Sequence, residues 1–333
     1  MELRNKRIAV TGGAGFIGSH VVDQLVAADN EVIIIDDFSA GKRENIQQHE
    51  ENSRIHVYEA DIRDPDAMVR LLEGVACVFH MAVACLRESI HNPQHVHEVN
   101  ATGTLNLCKA ALENNVQRFV YISSSESYGS AAYVPMDEEH PLNPTTVYGA
   151  SKAAGELYAL AYWRTYGLPA MVVRPFNSYG PREHSEGASA EVIPKFVMRV
   201  MAGLQPVIFG NGAQTRDFTW VQDTARGIIL AAGCDDLVGD RINIARGQEV
   251  SIKDICRIIL DKLGSQDLKP FYVEKGRPGD VDRHFANTGK AKRLLNFSPT
   301  VDIERGIEQY IQWVKTQNPD LATWVAQEKV VNW

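Results

Sequence analysis

The sequence predicts an α/β protein built on a doubly wound parallel sheet, with a smaller C-terminal α/β lobe. Three observations lead there. Short apolar runs alternate with helical patterns through the first half of the chain. A glycine-rich turn, VTGGAGFIGSH, joins the first run to the first helix. Past Asn177 the alternation gives way to shorter, more polar segments.

The apolar runs are RIAVTG, EVIIIDD, RIHVYEAD, ACVFHMA, RFVYISSS and AMVVRPF. They are rich in β-branched residues and lack polar alternation, the pattern of strands buried on both faces. Between them lie helices. One is expected to begin at Asp64-Pro65, a capping residue followed by proline at the first helical position. Others are expected over 89–114 and 148–166. Strands separated by helices must be joined by crossovers, so the sheet is parallel and carries helices on both faces. Beyond it, PREHSEGASAE reads as a polar insertion. A helix over 192–202, a strand in VIFGNG and helices over 251–263 and 303–316 follow.

Bulk properties narrow the function. The chain has 333 residues, 44 % apolar, and a formal charge of −8. It has no basic run or basic–aromatic stripe, so nucleic-acid binding lacks electrostatic support. The start, MELRNKRIAV, is polar and leads into a strand, and no apolar run reaches membrane-spanning length. A cytoplasmic protein without a signal peptide is expected. The five cysteines are scattered with no C-x-x-C spacing, which predicts reduced thiols and no metal site.

The glycine turn carries the first chemistry. Gly12, Gly15 and Gly18 give the spacing G-x-x-G-x-x-G between a strand and a helix. Glycines allow a tight turn and close backbone approach, and the helix N-terminus then faces a pyrophosphate. This marks residues 1–178 as a Rossmann-type dinucleotide-binding domain. Residues 179–333 are read mainly as the substrate lobe, with some segments expected to return to the first domain. Asp36 ends the second strand about twenty residues past the turn, the spacing at which a carboxylate accepts from ribose hydroxyls and repels a 2′-phosphate. NAD is therefore expected over NADP, although Arg43 stands close by in sequence. Asp61 and Ile62, at the end of the third strand, are candidates for the adenine edge.

Tyr148 and Lys152 in TVYGASKAAGE fall on one helix face, four residues apart. A tyrosine hydroxyl titrates near about 10, so acting as a base near neutrality requires a stabilised phenolate. A neighbouring ammonium is expected to provide that stabilisation.

Taken together, these segments resemble the extended short-chain dehydrogenase/reductase family, specifically its NAD-dependent nucleotide-sugar epimerases and dehydratases. The resemblance spans nearly the whole chain. It rests on TGGAGFIGSH, HMA at 80–82, Asn100 in EVNATGT, SSSESYG, YGASK, RPFNSYGPR, TRDFTWVQD and GRPGD. It implies NAD contacts from Gly12, Gly15, Phe16, Ile17 and Gly18, then from Asp36, Asp37, Ser39, Gly41 and Lys42. Further contacts are implied for Asp61, Ile62, Met81, Ala82, Val83, Asn100, Ser123 and Pro175, with Tyr148 and Lys152. Ser124 is implied to bond the reacting sugar hydroxyl, Tyr148 to be the acid/base, and Lys152 to tune it. The implied substrate contacts are Cys85, Arg87, Ser125, Asn177, Arg182, Val192, Lys195, Arg216, Arg277 and Asp280. Among these, Asn177, Arg216 and Arg277 fall on diphosphate-binding positions, and a guanidinium fork suits phosphate oxygens. One departure stands out: the loop HMAVACLRES is a residue shorter than the family pattern, so Cys85 and Arg87 are expected to shape an unusual sugar pocket.

The family chemistry passes through a 4-keto sugar. Reduction on the other face gives 4-epimerisation, loss of the C5 proton leads to 4,6-dehydration, and a uronic acid loses carbon dioxide. Glu126 bears on this choice, because dehydratases and decarboxylases of the family carry Glu there and familiar epimerases a small or hydroxyl residue. Its neighbour Ser125 is a poor acid for expelling a C6 hydroxyl. On balance 4-epimerisation of an NDP-hexose, a UDP-sugar, is the expectation, with Glu126 as a catalytic-site contact and dehydration or decarboxylation as alternatives. A non-catalytic NAD-binding regulator is disfavoured, because Ser124, Tyr148, Lys152, Arg216 and Arg277 are all present. A homodimer through a bundle of the helices over 89–114 and 148–166 is also implied by the resemblance.

Overall fold

A computed structural model describes residues 1–333 except Ala188, Lys275 and Asn332. Seven strands form the central sheet: β1 (Arg7–Thr11), β2 (Glu31–Asp36), β3 (Ile55–Glu59), β4 (Cys77–His80), β5 (Arg118–Ile122), β6 (Ala170–Pro175) and β7 (Arg241–Ile244). Their order is β7-β6-β5-β4-β1-β2-β3 and every pairing is parallel. The longer helices are α1 (Phe16–Ala27), α2 (Pro65–Leu71), α3 (Gly103–Glu113), α4 (Val147–Tyr166), α5 (Val192–Met201), α6 (Val221–Gly233), α7 (Ile252–Lys262) and α8 (Ile303–Thr316).

Alternating side chains send each strand's residues to opposite faces. Ile8, Val10, Ile34 and Val173 meet Val21 and Leu25 of α1 and Ile228 and Ala231 of α6. On the other face Ala9, Ile33, Phe119 and Tyr121 meet Met68, Leu107, Ala111 and Ala159 of α2, α3 and α4. Helix α6 and strand β7 come from the second half of the chain, so that half crosses back to complete the sheet. The third strand differs from the expectation of full burial. It is the sheet edge, and Val57 and Tyr58 are exposed.

The second lobe has its own core, in which Ile193, Phe196 and Val197 of α5 pack with Ile255 and Ile259 of α7 and Ile307 and Tyr310 of α8. Short strand pairs brace it, among them Val207–Phe209 with Phe271–Val273 and Thr215–Asp217 with Glu249–Ser251. Asp217 is fully buried and accepts backbone N–H groups of Arg246, Gly247 and Ala286. Burial pushes its carboxyl up to about 7 against these bonds.

Asp64 caps α2 as expected, accepting from Asp66 N at 3.1 Å and Ala67 N at 3.0 Å. The helix expected over 89–114 is instead broken. Short turns at Glu88–His91 and Pro93–His97 precede a π-helical segment, Glu98–Thr102, that runs into α3. Pro93 has no N–H to continue the first turn, and Asn92 leaves helical backbone with φ −132° and ψ 65°.

Helix α4 lies close on β5 at Gly155, where an added Cβ would meet the Tyr121 hydroxyl. One residue on, Glu156 pairs with Arg174 of β6. Arg174 Nε donates to Oε1 at 2.9 Å and Nη2 to Oε2 at 2.5 Å, and the side chains are 2 % and 1 % exposed. Removing one member of such a pair strands the other charge in the core. Glu156→Ala should therefore cost about 3–5 kcal/mol of stability, read as a lowered denaturant midpoint; an unchanged midpoint would show that the pair is dispensable.

Candidate active site

A cleft of about 1030 Å³ runs between the C-terminal ends of the strands and the second lobe. The first βα turn forms one end. Gly12 has φ +67°, and a Cβ there would lie 2.7 Å from the backbone N of Ala82, so only glycine fits. Helix α1 starts at Gly15 with no side-chain cap and no acidic residue in its first turn. Its first N–H groups are thus left for a phosphate anion at the cleft. Asp36 is 5 % exposed and accepts from Ala14 N and Phe38 N, both at 2.9 Å. Burial nonetheless pushes its pKa up. Arg43, the residue that left room for a 2′-phosphate, is occupied: Nη2 donates to Glu59 at 2.6 Å and the guanidinium stacks on Phe38. These residues fit NAD, whose pyrophosphate the Gly12–Gly18 turn would hold and whose ribose Asp36 would hold.

Deeper in, the end of β5 and the start of α4 converge. Thr146 caps α4 by accepting from Gly149 N at 3.1 Å, which fixes the turn that carries Tyr148. Lys152 Nζ donates to Ile122 O at 2.5 Å and lies 4.6 Å from the Tyr121 ring centre. Burial draws its pKa down to about 7, with Glu156 pulling the other way. Tyr148 does not show the lowered pKa expected from Lys152. Burial pushes its hydroxyl up, a hydrogen bond with Ser124 opposes this, and Glu126 adds to the rise. In this arrangement Lys152 is bonded to the strand carbonyl, and desolvation governs both groups.

Ser124 begins the turn that holds Glu126, its Oγ accepting from Glu126 N at 3.2 Å. Glu126 is 8 % exposed, and its Oε2 is buried with no hydrogen-bond partner among the described residues. Burial raises its pKa, opposed by Arg277 and Arg216. Those two arginines share one carboxylate: Arg216 Nη2 and Arg277 Nη2 donate to Asp280 Oδ1 at 2.6 and 2.7 Å. Asn177 Oδ1 is also buried with no partner among the described residues. Ser125 Oγ lies 3.4 Å from His284 Nδ1, and His284 Nε2 lies 3.2 Å from Gly129 O. Burial, with Arg216 adding, lowers His284 to about 3. The ring is therefore neutral, and the carbonyl assigns the proton to Nε2.

All the residues expected from sequence line this cleft except two. Asn100 stands behind the wall, its Oδ1 accepting from Ala84 N at 2.8 Å and its Nδ2 donating to Ala84 O and Ser151. It braces the 81–84 loop, and its polar atoms are already used. Arg182, in a left-handed conformation with φ 68°, donates to Asp23 of α1 at 2.8 Å. The cleft also gathers residues the sequence did not single out, including Glu183, Glu191, Phe209, Gln214 and Trp333. Glu191 had one usable signal, its place directly before the apolar pattern of α5.

The profile of the GDP-mannose 4,6 dehydratase family matches residues 9–310, and the chain belongs to this family. A UDP-glucose 4-epimerase of Mycolicibacterium smegmatis is 34 % identical over 315 residues, covering 94 % of this chain and 99 % of that protein. A dTDP-glucose 4,6-dehydratase of an Actinoplanes species is 33 % identical over 318 residues, covering 93 % and 98 %. The crystal structure of DesIV, a dTDP-glucose 4,6-dehydratase from Streptomyces venezuelae with NAD bound, superposes with a TM-score of 0.89. It is 34 % identical and covers 97 % of this chain and 100 % of its own. The chain is thus an NAD-dependent enzyme of the epimerase and dehydratase kind. No helix among the described residues is long and apolar enough to cross a membrane.

Tyr148→Phe keeps the ring and removes the proton acceptor. Turnover should fall by roughly 100-fold or more while NAD remains bound; near-normal turnover would remove Tyr148 from the acid/base role.

Proposed function

We propose that this enzyme is a nucleotide-sugar 4,6-dehydratase, oxidising C4 of an NDP-linked hexose and then eliminating water across C5 and C6. The observation that carries this is Glu126, a buried carboxylate on the cleft wall with an oxygen that no donor among the described residues satisfies. A buried acceptor left unpaired costs about 1–3 kcal/mol, and a raised pKa suits a carboxylate to proton transfer near neutrality. A surface contact to the sugar would need neither.

When bound, NAD supplies reversible hydride chemistry. Tyr148 takes the C4 hydroxyl proton as the phenolate, a form that burial disfavours here and that the positive charge of bound NAD would favour, and Ser124 holds that hydroxyl. With C4 a ketone, the C5 hydrogen becomes acidic and Glu126 removes it. The C6–O bond then breaks, and the proton on Glu126 leaves with the departing hydroxide as water. The hydride taken from C4 would return to C6, and a solvent proton at C5 completes a 4-keto-6-deoxy sugar. Asn177 and the Arg216–Asp280–Arg277 group hold the diphosphate, the two guanidiniums outweighing their shared carboxylate.

The alternative expected from sequence, 4-epimerisation, draws support from a similar protein named UDP-glucose 4-epimerase. It also draws support from Ser125, which is engaged with His284 and is no acid. It requires Tyr148 and Lys152 but no base at C5. Incubation with UDP-glucose and dTDP-glucose in D₂O separates the two. Dehydration gives a product lighter by one water with deuterium at C5, and Glu126→Gln should slow it by about 100-fold. Product of unchanged mass without carbon-bound deuterium would establish epimerisation instead.

We place the enzyme in the cytoplasm as a homodimer. Leu105 on α3 and Val147 and Leu157 on the neighbouring α4 are exposed apolar residues, Leu157 at 59 %. A second copy would cover them in a four-helix bundle. Light scattering should give twice the chain mass, and Leu157→Glu should give the monomer; a monomeric parent protein would rule this interface out.

A further inference from the structure

Arg87 is a buried cation that the mechanism above does not use. It stands in the loop after β4 and reaches across to Glu191, the residue before α5 in the second lobe. The pairing is forked, Nη1 donating to Oε1 at 2.8 Å and Nη2 to Oε2 at 3.1 Å. Two of the five guanidinium N–H groups are used in this way, and Nε is buried with no partner among the described residues. Both residues line the cleft beside Tyr148 and Glu126. Glu191 acts electrostatically on the Tyr148 hydroxyl and on the Glu126 carboxyl, so the pair borders the space where the sugar reacts.

The other charged groups around that space are also committed. Arg216 and Arg277 share Asp280. Lys195 Nζ donates to the carbonyls of Lys329 and Val330, both at 2.9 Å. Glu183 is buried next to Glu191 and accepts from Gly180 N at 3.1 Å; burial pushes its pKa well up, which favours the neutral acid. A carboxylate arriving at C6 of the sugar would find Arg87's fork already taken and would face Glu126 and Glu191. A hydroxyl group needs no fork and can donate to a carboxylate oxygen.

We infer that the Arg87–Glu191 pair sets the charge accepted at C6 of the sugar, admitting a hydroxymethyl group and refusing a uronate carboxylate. This rests on the nucleotide-sugar function proposed above and assigns specificity to residues that take no part in the proton transfers. Glu191 makes no side-chain cap bond to α5, so its replacement leaves the helix start intact.

The test is calorimetry on the NAD-loaded enzyme with sugars matched in nucleotide, so that only C6 differs. UDP-glucose is compared with UDP-glucuronate, and dTDP-glucose with dTDP-glucuronate. The wild type should bind the better glucose compound roughly 100-fold more tightly than its uronate. Glu191→Gln, and Glu191→Ala as a second variant, should shrink that ratio below about 10-fold by freeing the guanidinium. Equal binding of the pair by the wild type, or a ratio unchanged in folded variants, overturns the inference and leaves the proposed reaction standing. Failure of all four compounds to bind would instead remove the nucleotide-sugar function, and the inference with it. A wild type that epimerises UDP-glucose yet rejects the uronate would overturn only the dehydration.

Discussion

The catalytic end of this molecule depends on the buried pair between Glu156 and Arg174. Tyr148 and Lys152 lie on α4, whereas Ser124 and Glu126 follow β5, and the two elements must meet within hydrogen-bond tolerance. The pair fixes their distance. Glu156 stands one turn beyond Lys152, accepts from Arg174 on β6, and also accepts from Ser123 Oγ at 2.5 Å at the end of β5. Arg174 in turn donates to the Tyr128 hydroxyl at 2.8 Å, and Tyr128 to Asn243 on β7. One carboxylate therefore joins α4, β5 and β6, and its partner extends the network to β7. Two charges removed from water are tolerated because their forked geometry and extra bonds are satisfied. The return of β7 from the second half of the chain acquires a reason from this: it closes the network behind the site.

Electrostatics then divide the cleft by function. At the cofactor end the fixed groups are backbone N–H donors at α1 and the carboxylate of Asp36. Across the cleft, Arg216 and Arg277 share the carboxylate of Asp280 and keep a net positive charge. Near Tyr148 the cleft carries Glu126, Glu183 and Glu191 with Arg87 and Lys195, and burial favours the neutral acid at Glu183. Preorganised fields of this kind cost no reorientation when a proton moves.

Much of this was legible in the sequence because short-range rules dominate the first half. The glycine spacing, the Asp36 strand end and the Tyr148–Lys152 separation are local patterns, and each lies on the cleft. What escaped was decided by distance in sequence. Strand β7 is four residues long and flanked by arginine and glycine-rich turns, so nothing in RINI marks its pairing with β6. The break at Pro93 was readable from the proline, which lacks the N–H that a continuous helix needs. Arg182 sits in a motif that points to the substrate, and only its left-handed backbone shows that it reaches α1 instead. The partners of Arg87 and Ser125 lie 104 and 159 residues away, beyond the range of any local rule.

Some of the places where local rules fail lie on the cleft wall. Buried polar groups in a folded chain are nearly always paired, yet Glu126 Oε2 and Asn177 Oδ1 have no partner among the described residues, and both residues are on the cleft wall. Lys152 is a fully buried ammonium whose pKa has fallen to about 7, held by a carbonyl and an aromatic face without a direct carboxylate partner. Each of these would be replaced by an apolar residue if stability alone were selected. Their cost is carried by the satisfied network directly beneath them. A rigid Glu156–Arg174 base lets the groups above it stay desolvated and unpaired until a ligand supplies their partners.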